Sequence, residues 1–364
     1  AYFTVIANPS LKWETQISTD IALEFGLFDR LTGTIEYFKK DSKDLLFDVS
    51  QPASVGVTSI IQNIGKVTNS GVEIELDYNA FKNKDWSVSV GANATFVKNK
   101  IKNLPATMKE NGYISGSKKW LEGKSIYEFW LRQWHGVDPQ TGDGLYVADV
   151  SKYNQGNIGT GDGNITQSQF DEYKKTVVTI DGKELTNSYT YAKYDFSGSS
   201  IPDVYGGFNV RVSYKNFDLA AVFSYQLGGQ ILDTNYATMM SMTEFGYAQS
   251  PDLLKAWKQA GDITEVPRID NSAAHTTNIG QSYSTRWLTS SDYLNLRSVT
   301  IGYQLPKTWL SKVMLKSARL NLTAENLFML KARQGLNPMA NYSGVTYNEY
   351  MPSRNITLGL NVSF

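Results

Sequence analysis

The 364-residue sequence contains no cysteine and only two histidines. The absence of cysteine excludes disulfides, thiolate zinc sites, iron–sulfur clusters and cysteine nucleophiles. The histidines, His135 and His275, lie far apart in the sequence, so a histidine metal cluster or a histidine-based triad has few parts to draw on. Since no other set of residues forms a recognisable catalytic motif, we do not expect an enzyme.

An excess of one charge is also lacking, because 35 Lys and Arg residues balance 35 Asp and Glu residues. A nucleic-acid-binding protein needs a basic excess on one face, so the composition gives no support to that class. The sequence contains no run of about 18 apolar residues, which excludes a transmembrane helix. A transmembrane strand is compatible with this absence, since only every second residue of such a strand faces lipid.

What the chain does contain is alternation with a period of two. The last segment is the clearest, because Ile356, Leu358, Leu360, Val362 and Phe364 alternate there with small or polar residues. Successive side chains of a strand point to opposite faces, so one face of this strand is apolar and the other is polar. The same alternation recurs upstream, in the ranges 71–78, 85–98, 205–214, 217–227 and 318–326.

Short and long connections alternate between these segments. The short ones lie near 27–30, 81–85 and 214–217, and the long ones are 48–66, 99–124, 151–203, 232–285 and 329–353. Outer-membrane barrels show this asymmetry. We therefore predict an all-β fold, a transmembrane antiparallel β-barrel with about eleven strands. The predicted strands are 12–27, 30–47, 66–81, 85–101, 124–137, 144–150, 205–215, 217–231, 287–305, 316–328 and 354–364.

Two short helices are predicted inside the long connections. One follows the N-cap residue Ser250 over 251–258, and the other is opened by Thr166 and covers 166–175.

An odd strand number predicts an incomplete barrel, since single-chain bacterial barrels have even numbers. The first residues contain neither a start methionine nor a signal peptide. We therefore expect residues 1–364 to be the C-terminal portion of a single β-barrel domain, with the N-terminal plug and the first strands absent. About eleven strands would be half of the 22 found in plugged outer-membrane transporters. If the short turns face the periplasm, the C-terminus lies there too.

A series of short motifs runs from residue 8 to the C-terminus. It comprises NPSLKWE at 8–14, FGLFDRLTG at 25–33, YFKK at 37–40, NIG at 63–65, NSGVEI at 69–74, IPDVYGGF at 201–208, YQLGG at 225–229, LRSVTIGY at 296–303, ENLF at 325–328 and the terminal strand. In order and spacing, this series resembles the SusC/RagA branch of TonB-dependent outer-membrane transporters. Each motif alone is weak, and the specificity lies in the series.

The resemblance implies a 22-stranded barrel with an N-terminal plug in the outer membrane of a Bacteroidetes-type bacterium. It implies energy from TonB, acting through the N-terminal part, and a SusD-like surface lipoprotein that closes over the barrel. A dimer of transporter–lipoprotein pairs is compatible with it. The expected function is active import of a bulky nutrient, a glycan oligosaccharide or an oligopeptide. The aromatic end, Phe364, resembles the barrel assembly signal of this family.

Two other functions stay open at this stage. A soluble or secreted β-rich carbohydrate-binding module would bury its apolar strand faces in a core. A passive porin would have no plug domain. Neither requires a cofactor.

Few residues are candidates for a binding site. Trp120, Trp130 and Trp134 cluster in one predicted outer region and could stack on a sugar or peptide. Asp162 and Asn164 are weak calcium candidates, because aligning their loop to an EF-hand leaves the first and last carboxylates absent. The Gly206–Gly207 and Gly228–Gly229 pairs are predicted bends or bulges, with a close approach to a ligand as the alternative.

Overall fold

The computed structural model describes residues 7–50, 56–57, 59–161, 163–241, 246, 248–270, 272, 275, 279–280, 283–310 and 315–364. Within this part of the chain the strands, numbered in chain order, are β1 (Thr15–Leu27), β2 (Leu31–Lys43), β3 (Leu46–Ser50), β4 (Ser59–Asn63), β5 (Lys66–Lys82), β6 (Trp86–Asn103), β7 (Tyr113–Ser115), β8 (Lys118–Trp120), β9 (Glu128–Arg132), β10 (Trp134–Val137), β11 (Gly144–Val147), β12 (Val177–Ile180), β13 (Lys183–Thr186), β14 (Tyr194–Ser199), β15 (Val204–Tyr214), β16 (Phe217–Leu227), β17 (Gln230–Leu232), β18 (Leu288–Ser290), β19 (Tyr293–Gln304), β20 (Ser317–Glu325), β21 (Met329–Lys331) and β22 (Asn355–Ser363).

Helices are few and short. The α-helices of the described residues are α1 (Gln167–Thr176), α2 (Thr234–Met239) and α3 (Lys307–Leu310), and the 3₁₀ helices are Ala106–Met108, Gln155–Asn157, Tyr189–Tyr191, Pro251–Lys255 and Thr285–Trp287. Over the described ranges, no helix has the length and apolar character needed to cross a membrane.

Nine strands form one continuous antiparallel sheet, which we call the wall. Their order is β1-β2-β5-β6-β15-β16-β19-β20-β22, and the short β21 joins the same sheet through β19. Within the described residues, β1 and β22 each pair with a neighbour on one side only. The wall is therefore an open part of a barrel, and the prediction of an all-β antiparallel barrel is confirmed.

The register of the wall separates an apolar face from a polar one. Leu76 pairs with Ala92, Ala92 with Phe208, and Phe208 with Phe223, so one apolar row crosses four strands. A neighbouring row on the opposite face is polar or small, and consists of Thr34, Glu75, Asn93, Gly207 and Ser224. Most side chains of the apolar face are exposed or half-buried, with Leu358 of β22 at 69% exposure. A lipid-facing wall requires this distribution.

Aromatic rings line the apolar face near the tight hairpin turns. Trp86 packs against Tyr214 with ring centroids 4.3 Å apart, and Phe217 packs against Tyr303 at 4.4 Å. The hairpin register brings Tyr214 beside Phe217, so the two ring pairs form one girdle. Amphipathic aromatics are enriched at membrane interfaces, and these rings mark that edge of the apolar band.

Short and long connections alternate as the sequence predicts. At one end of the wall the connections are 28–30, 83–85, 215–216 and 305–316, and at the other they are 44–65, 104–203, 228–292 and 326–354. The last three long connections fold against one another, and we call them the cap. Their shared core contains Phe129 and Leu131 from the first, Leu232 and Trp287 from the second, and Val345 from the third.

The predicted strand count was too high, because two predicted wall strands belong to the cap. The range 124–137 contains β9 and β10, and 144–150 contains β11. β9 belongs to one small sheet, and β10 and β11 belong to another. Phe129 and Leu131 alternate because one face of β9 packs into the cap core, not because that face meets lipid. At four or five residues each, these strands are also shorter than the nine to eleven that a membrane crossing requires.

The helix predictions had different outcomes. The helix opened by Thr166 is α1, and its capping box with Gln169 is present. The predicted helix over 251–258 is only a 3₁₀ helix, Pro251–Lys255, although Ser250 accepts from the Asp252 amide as expected of an N-cap. The chain turns extended at Ala256, which is buried in the cap core, so packing ends the helix there.

The two glycine pairs serve the chain's own packing. The register of β15 is unbroken at Gly206, so no bulge lies there, and a β-carbon at that position would collide with the Asn93 carbonyl oxygen of β6. Gly228 and Gly229 have φ angles of +74° and +77°, which form the bend after β16. The close approach at Gly206 is therefore to a neighbouring strand.

Candidate functional site

The cap meets the polar face of the wall around a cavity of about 450 Å³, which we call the wall cavity. Asn69, Tyr205 and Gln226 line it from the wall, and Tyr127 and Tyr342 line it from the cap. Alternation along β5, β15 and β16 places the three wall residues on the polar face. The volume lies within the range of ordinary small-ligand sites.

Hydrogen bonds hold the rim of the wall cavity in place. Gln226 Nε2 donates to Ser291 Oγ at 2.8 Å, and Ser200 Oγ donates to the Tyr342 carbonyl at 3.1 Å. Tyr127 and Tyr342 meet edge to face with ring centroids 5.9 Å apart. Burial, with a smaller contribution from Tyr342, raises the pKa of Tyr127, so its hydroxyl stays neutral at physiological pH.

The wall cavity can bind neutral polar groups. None of the described residues that line it is charged, and its polar contributors are amides and hydroxyls. Such groups donate to and accept from sugar hydroxyls or peptide amides, and tyrosine rings add apolar contact area. The groups that the described lining residues present are therefore suited to recognition by hydrogen bonding and ring contact.

A second cavity, of about 390 Å³, lies within the cap, and we call it the loop cavity. His135, Tyr236, Glu265 and Arg333 contribute to its lining. In contrast to the wall cavity, it carries charged side chains. Arg333 lies over the Tyr236 ring at 3.6 Å and pairs with Asp233 Oδ2 at 3.2 Å.

The three tryptophans of the predicted cluster do not form one continuous aromatic surface. Trp120 packs against Phe47 and Tyr113, with centroids 5.9 and 5.4 Å away, and joins the junction between wall and cap. Trp130 contacts Phe196 at 4.9 Å and carries the Lys119 ammonium at 4.0 Å.

The third tryptophan, Trp134, lines the loop cavity. Across the described residues, no ring contact joins any two of the three. Their role in substrate binding stays a prediction.

The other predicted site residues are placed as follows. Asp162 lies outside the described residues, and Asn164 is exposed in the turn before α1, so the calcium hypothesis stays a prediction. His135 is exposed beside the loop cavity, whereas His275 is buried with Nε2 at 2.8 Å from the Arg268 carbonyl oxygen. Phe364 is 80% exposed after the end of β22, and its assembly role also stays a prediction.

Sequence reasoning identified Trp134 of the loop cavity but none of the residues that line the wall cavity. The wall-cavity lining extends from Asn69 to Gly344, and no local spacing connects these positions. For the loop cavity, the tripeptide Thr285-Arg286-Trp287 could have indicated a binding site, because it places a cation next to an aromatic residue in the sequence.

The comparisons with known proteins agree with this architecture. Residues 1–160 match the family model described as TonB dependent receptor-like, beta-barrel. TonB-dependent receptor P3 of Formosa agariphila is 30% identical over 99% of this chain, and SusC of Bacteroides thetaiotaomicron is 24% identical over 98%. The chain spans only 35% and 32% of the lengths of these two relatives.

Solved structures of outer-membrane transporters resemble this chain as well. The RagAB peptide transporter is 25% identical with a TM-score of 0.76, and the match covers 99% of this chain and 36% of that one. The RagAB peptide importer in its closed-closed state gives 26% identity and a TM-score of 0.77, with the same coverage. The named relatives are receptors and transporters, in agreement with the prediction that the chain is not an enzyme.

Members of this family are outer-membrane β-barrel proteins, and the exposed apolar face of the wall fits that location. The cap and the wall follow the fold of the RagAB transporter across nearly the whole chain. The chain is therefore similar in sequence and in fold to part of the β-barrel of TonB-dependent receptors, with SusC and the RagAB transporter among the proteins it resembles.

Proposed function

We propose that the protein containing this chain imports a bulky nutrient, a glycan oligosaccharide or an oligopeptide, across the outer membrane in a TonB-dependent manner. The observation that carries the proposal is the cap, because three long connections share one core and hold a recognition cavity against the polar face of the wall. A passive pore needs no such ordered receptor surface. The peptide named for RagAB favours an oligopeptide, and the glycan remains the second substrate class.

The partners are part of the same proposal. A SusD-like surface lipoprotein would close over the cap, and TonB would act through an N-terminal plug domain. Residues 1–364 would be the C-terminal portion of one barrel domain, with Phe364 on the periplasmic side, where the short connections lie. Two transporter–lipoprotein pairs would associate as a dimer.

Uptake by intact cells tests the function. A strain that lacks the receptor should lose uptake of fluorescently labelled oligopeptides or oligosaccharides, and the full-length gene should restore it. A protonophore should stop the restored uptake, because TonB draws on the inner-membrane gradient. Uptake that persists at full rate after the gradient collapses would indicate a passive porin and contradict the proposal.

A pair of tyrosine variants tests the role of the wall cavity. Tyr342→Ala removes an aromatic ring that lines the cavity, and we expect it to raise the substrate concentration needed for half-maximal uptake about ten-fold. Tyr350→Ala is the matched control, since Tyr350 is 96% exposed and lies outside the cavity lining. Equal effects of both variants would remove the cavity from the mechanism.

A further inference from the structure

The loop cavity is built by three connections that are distant in sequence. Trp134 comes from the connection 104–203, Arg286 and Trp287 come from 228–292, and Arg333 comes from 326–354. The cavity exists only when the cap is assembled, and its position depends on the shared core that contains Trp287.

Arg286 occupies an unusual place in this cavity. Its guanidinium carbon lies 4.7 Å from the centroid of the Trp134 ring and 4.3 Å from that of Trp287. Ring contacts use the faces of a guanidinium and leave the N–H donors at its edge available. Nη1 donates to the Ile279 carbonyl at 3.1 Å. This edge geometry matches the two oxygens of a carboxylate.

The positive charge of Arg286 has no acidic partner in the described part of the chain. Each described salt bridge joins other residues, and no described carboxylate oxygen lies within 4.0 Å of its nitrogens. Arg333, by contrast, is paired with Asp233. Removing a charge from water without a counter-charge is costly, so a site of this kind favours an anion that arrives from outside.

The charge states of Arg286 and of its neighbours agree with a site that binds an anion. Burial lowers the pKa of Arg286 to about 10, which leaves it charged at neutral pH. Burial raises the pKa of Tyr146 to about 12, so this close neighbour stays neutral and supplies no negative charge. Glu265 lines the cavity without reaching Arg286.

We propose that the loop cavity is a carboxylate-binding site, in which Arg286, fixed between Trp134 and Trp287, holds a carboxylate of the imported molecule. That the carboxylate belongs to an imported molecule rests on the proposed function, whereas the binding site itself does not. A carboxylate can come from a peptide C-terminus or from a uronic acid, and both present the same planar pair of oxygens to the arginine edge.

Matched probes test the site on the wild-type receptor at its full length, purified in detergent. N-acetyl-dialanine is compared with its C-terminal amide, and glucuronate with glucose, by calorimetry and by tryptophan fluorescence. At least one carboxylate probe should bind ten-fold or more tightly than its neutral counterpart, because hydrogen bonds to charged groups are the stronger class. A preference for the peptide pair or the sugar pair identifies the source of the carboxylate.

Variants then assign the preference to one residue. Arg286→Gln should abolish it, and Arg286→Lys should retain only part of it, because lysine keeps the charge but loses the planar fork. Arg297→Gln is the control, since Arg297 is exposed and lies outside the cavity. Equal binding of charged and neutral probes by the wild type overturns the proposal, as does a preference that survives in Arg286→Gln. The wild-type comparison decides the matter even if a variant does not fold.

The outcome is separable from that of the proposed function. Binding in detergent requires neither TonB nor uptake, so energised uptake without a carboxylate preference would refute only the site. A carboxylate preference without energised uptake would refute only the transport function.

Discussion

Lys118 is a buried amine in the cap. Its Nζ donates to the Tyr127 carbonyl at 2.8 Å and lies 3.1 Å from the centroid of the Phe129 ring. Burial lowers the pKa of Lys118 to about 7. Phe129 belongs to the shared core of the cap, so the protonation of this one amine bears on the packing of all three connections.

Cap stability should therefore depend on pH through Lys118. Between about pH 7 and 10.5 the unfolded chain binds a proton that the folded cap does not, so stability rises as the pH increases through this window. Below pH 7 the amine is charged in both states and stability is lowest. Hydrogen exchange of residues 113–132 in the full-length receptor, corrected for intrinsic rates, should show protection that grows from pH 7 to about 9.5.

Substitution isolates the contribution of this amine. Lys118→Met should make the protection of the segment independent of pH over that window, and Lys102→Met, at an exposed position, should leave the dependence in place. A pH dependence that is unchanged in Lys118→Met would show that the charge of Lys118 does not govern the packing.

The last side chain carries a prediction about assembly rather than transport. Phe364 is 80% exposed and continues the lipid-facing row of β22. Phe364→Ala should lower the amount of receptor in the outer membrane more than it lowers uptake per inserted molecule. Quantitative immunoblots of membrane fractions, set against uptake rates, separate the two effects, and unchanged membrane levels would refute the prediction.

At the scale of the element, α1 depends on its capping box. The Gln169 amide donates to Thr166 Oγ1 at 3.2 Å, and the Thr166 amide donates to Gln169 Oε1 at 2.8 Å. Thr166→Ala should cost about 1 kcal/mol of helix stability. Faster hydrogen exchange over residues 167–176 would record the loss. Ser168→Ala, at an exposed position in the same turn, should not speed the exchange, and an equal acceleration in both variants would contradict the capping role.

Gly206 leaves room for a side-chain hydrogen bond that joins two strands of the wall. The Tyr225 hydroxyl donates to the Asn93 carbonyl at 3.0 Å and so reaches from β16 past β15 to β6. Gly206 pairs with both Tyr225 and Ala94, and a β-carbon there would strike the same carbonyl oxygen.

Gly206→Ala should therefore destabilise the wall by about 1–3 kcal/mol. The temperature at which the purified receptor loses its folded mobility in detergent gels measures this. Gly26→Ala is the matched control, because no heavy atom lies within 4 Å of its added carbon. A wall that tolerates both substitutions equally would show that the collision relaxes without cost.

The sequence predicted wall strands far better than cap strands. Strands of nine to eighteen residues, such as β6 and β22, alternate long enough for the period to identify them. The alternation of β9 is equally regular, yet it arises from packing in the cap core. Periodicity shows that one face of a strand is apolar, but it does not show whether that face contacts lipid or protein. Only the length of the strand distinguishes the two cases. Cavities form between distant segments, and no periodicity encodes them.

At the scale of the whole molecule, the cap and the wall are stabilised by different means. The cap depends on a shared core, whereas the wall depends on backbone pairing along its strands. Trp287 is 2% exposed at the centre of that core. Trp287→Ala should destabilise the cap by about 3–5 kcal/mol and leave the wall folded.

Limited proteolysis measures this separation. The variant should be cleaved within 104–203 and 228–292 at protease concentrations that leave the wild type intact, while its wall keeps its folded mobility in detergent gels. Simultaneous loss of cap and wall would show that the two unfold as one cooperative unit.

The two open edges of the wall have a consequence for how such a barrel enters a membrane. Along β1 and β22, one row of amides and carbonyls has no strand partner among the described residues. In the hydrocarbon core of a membrane, each backbone group without a hydrogen-bond partner costs several kcal/mol. A wall with open edges is therefore not stable in the bilayer. Pairing each edge with a further strand would remove this penalty. An unpaired edge also offers its free amides and carbonyls to other chains, so each edge of the wall has to be shielded until a strand pairs with it.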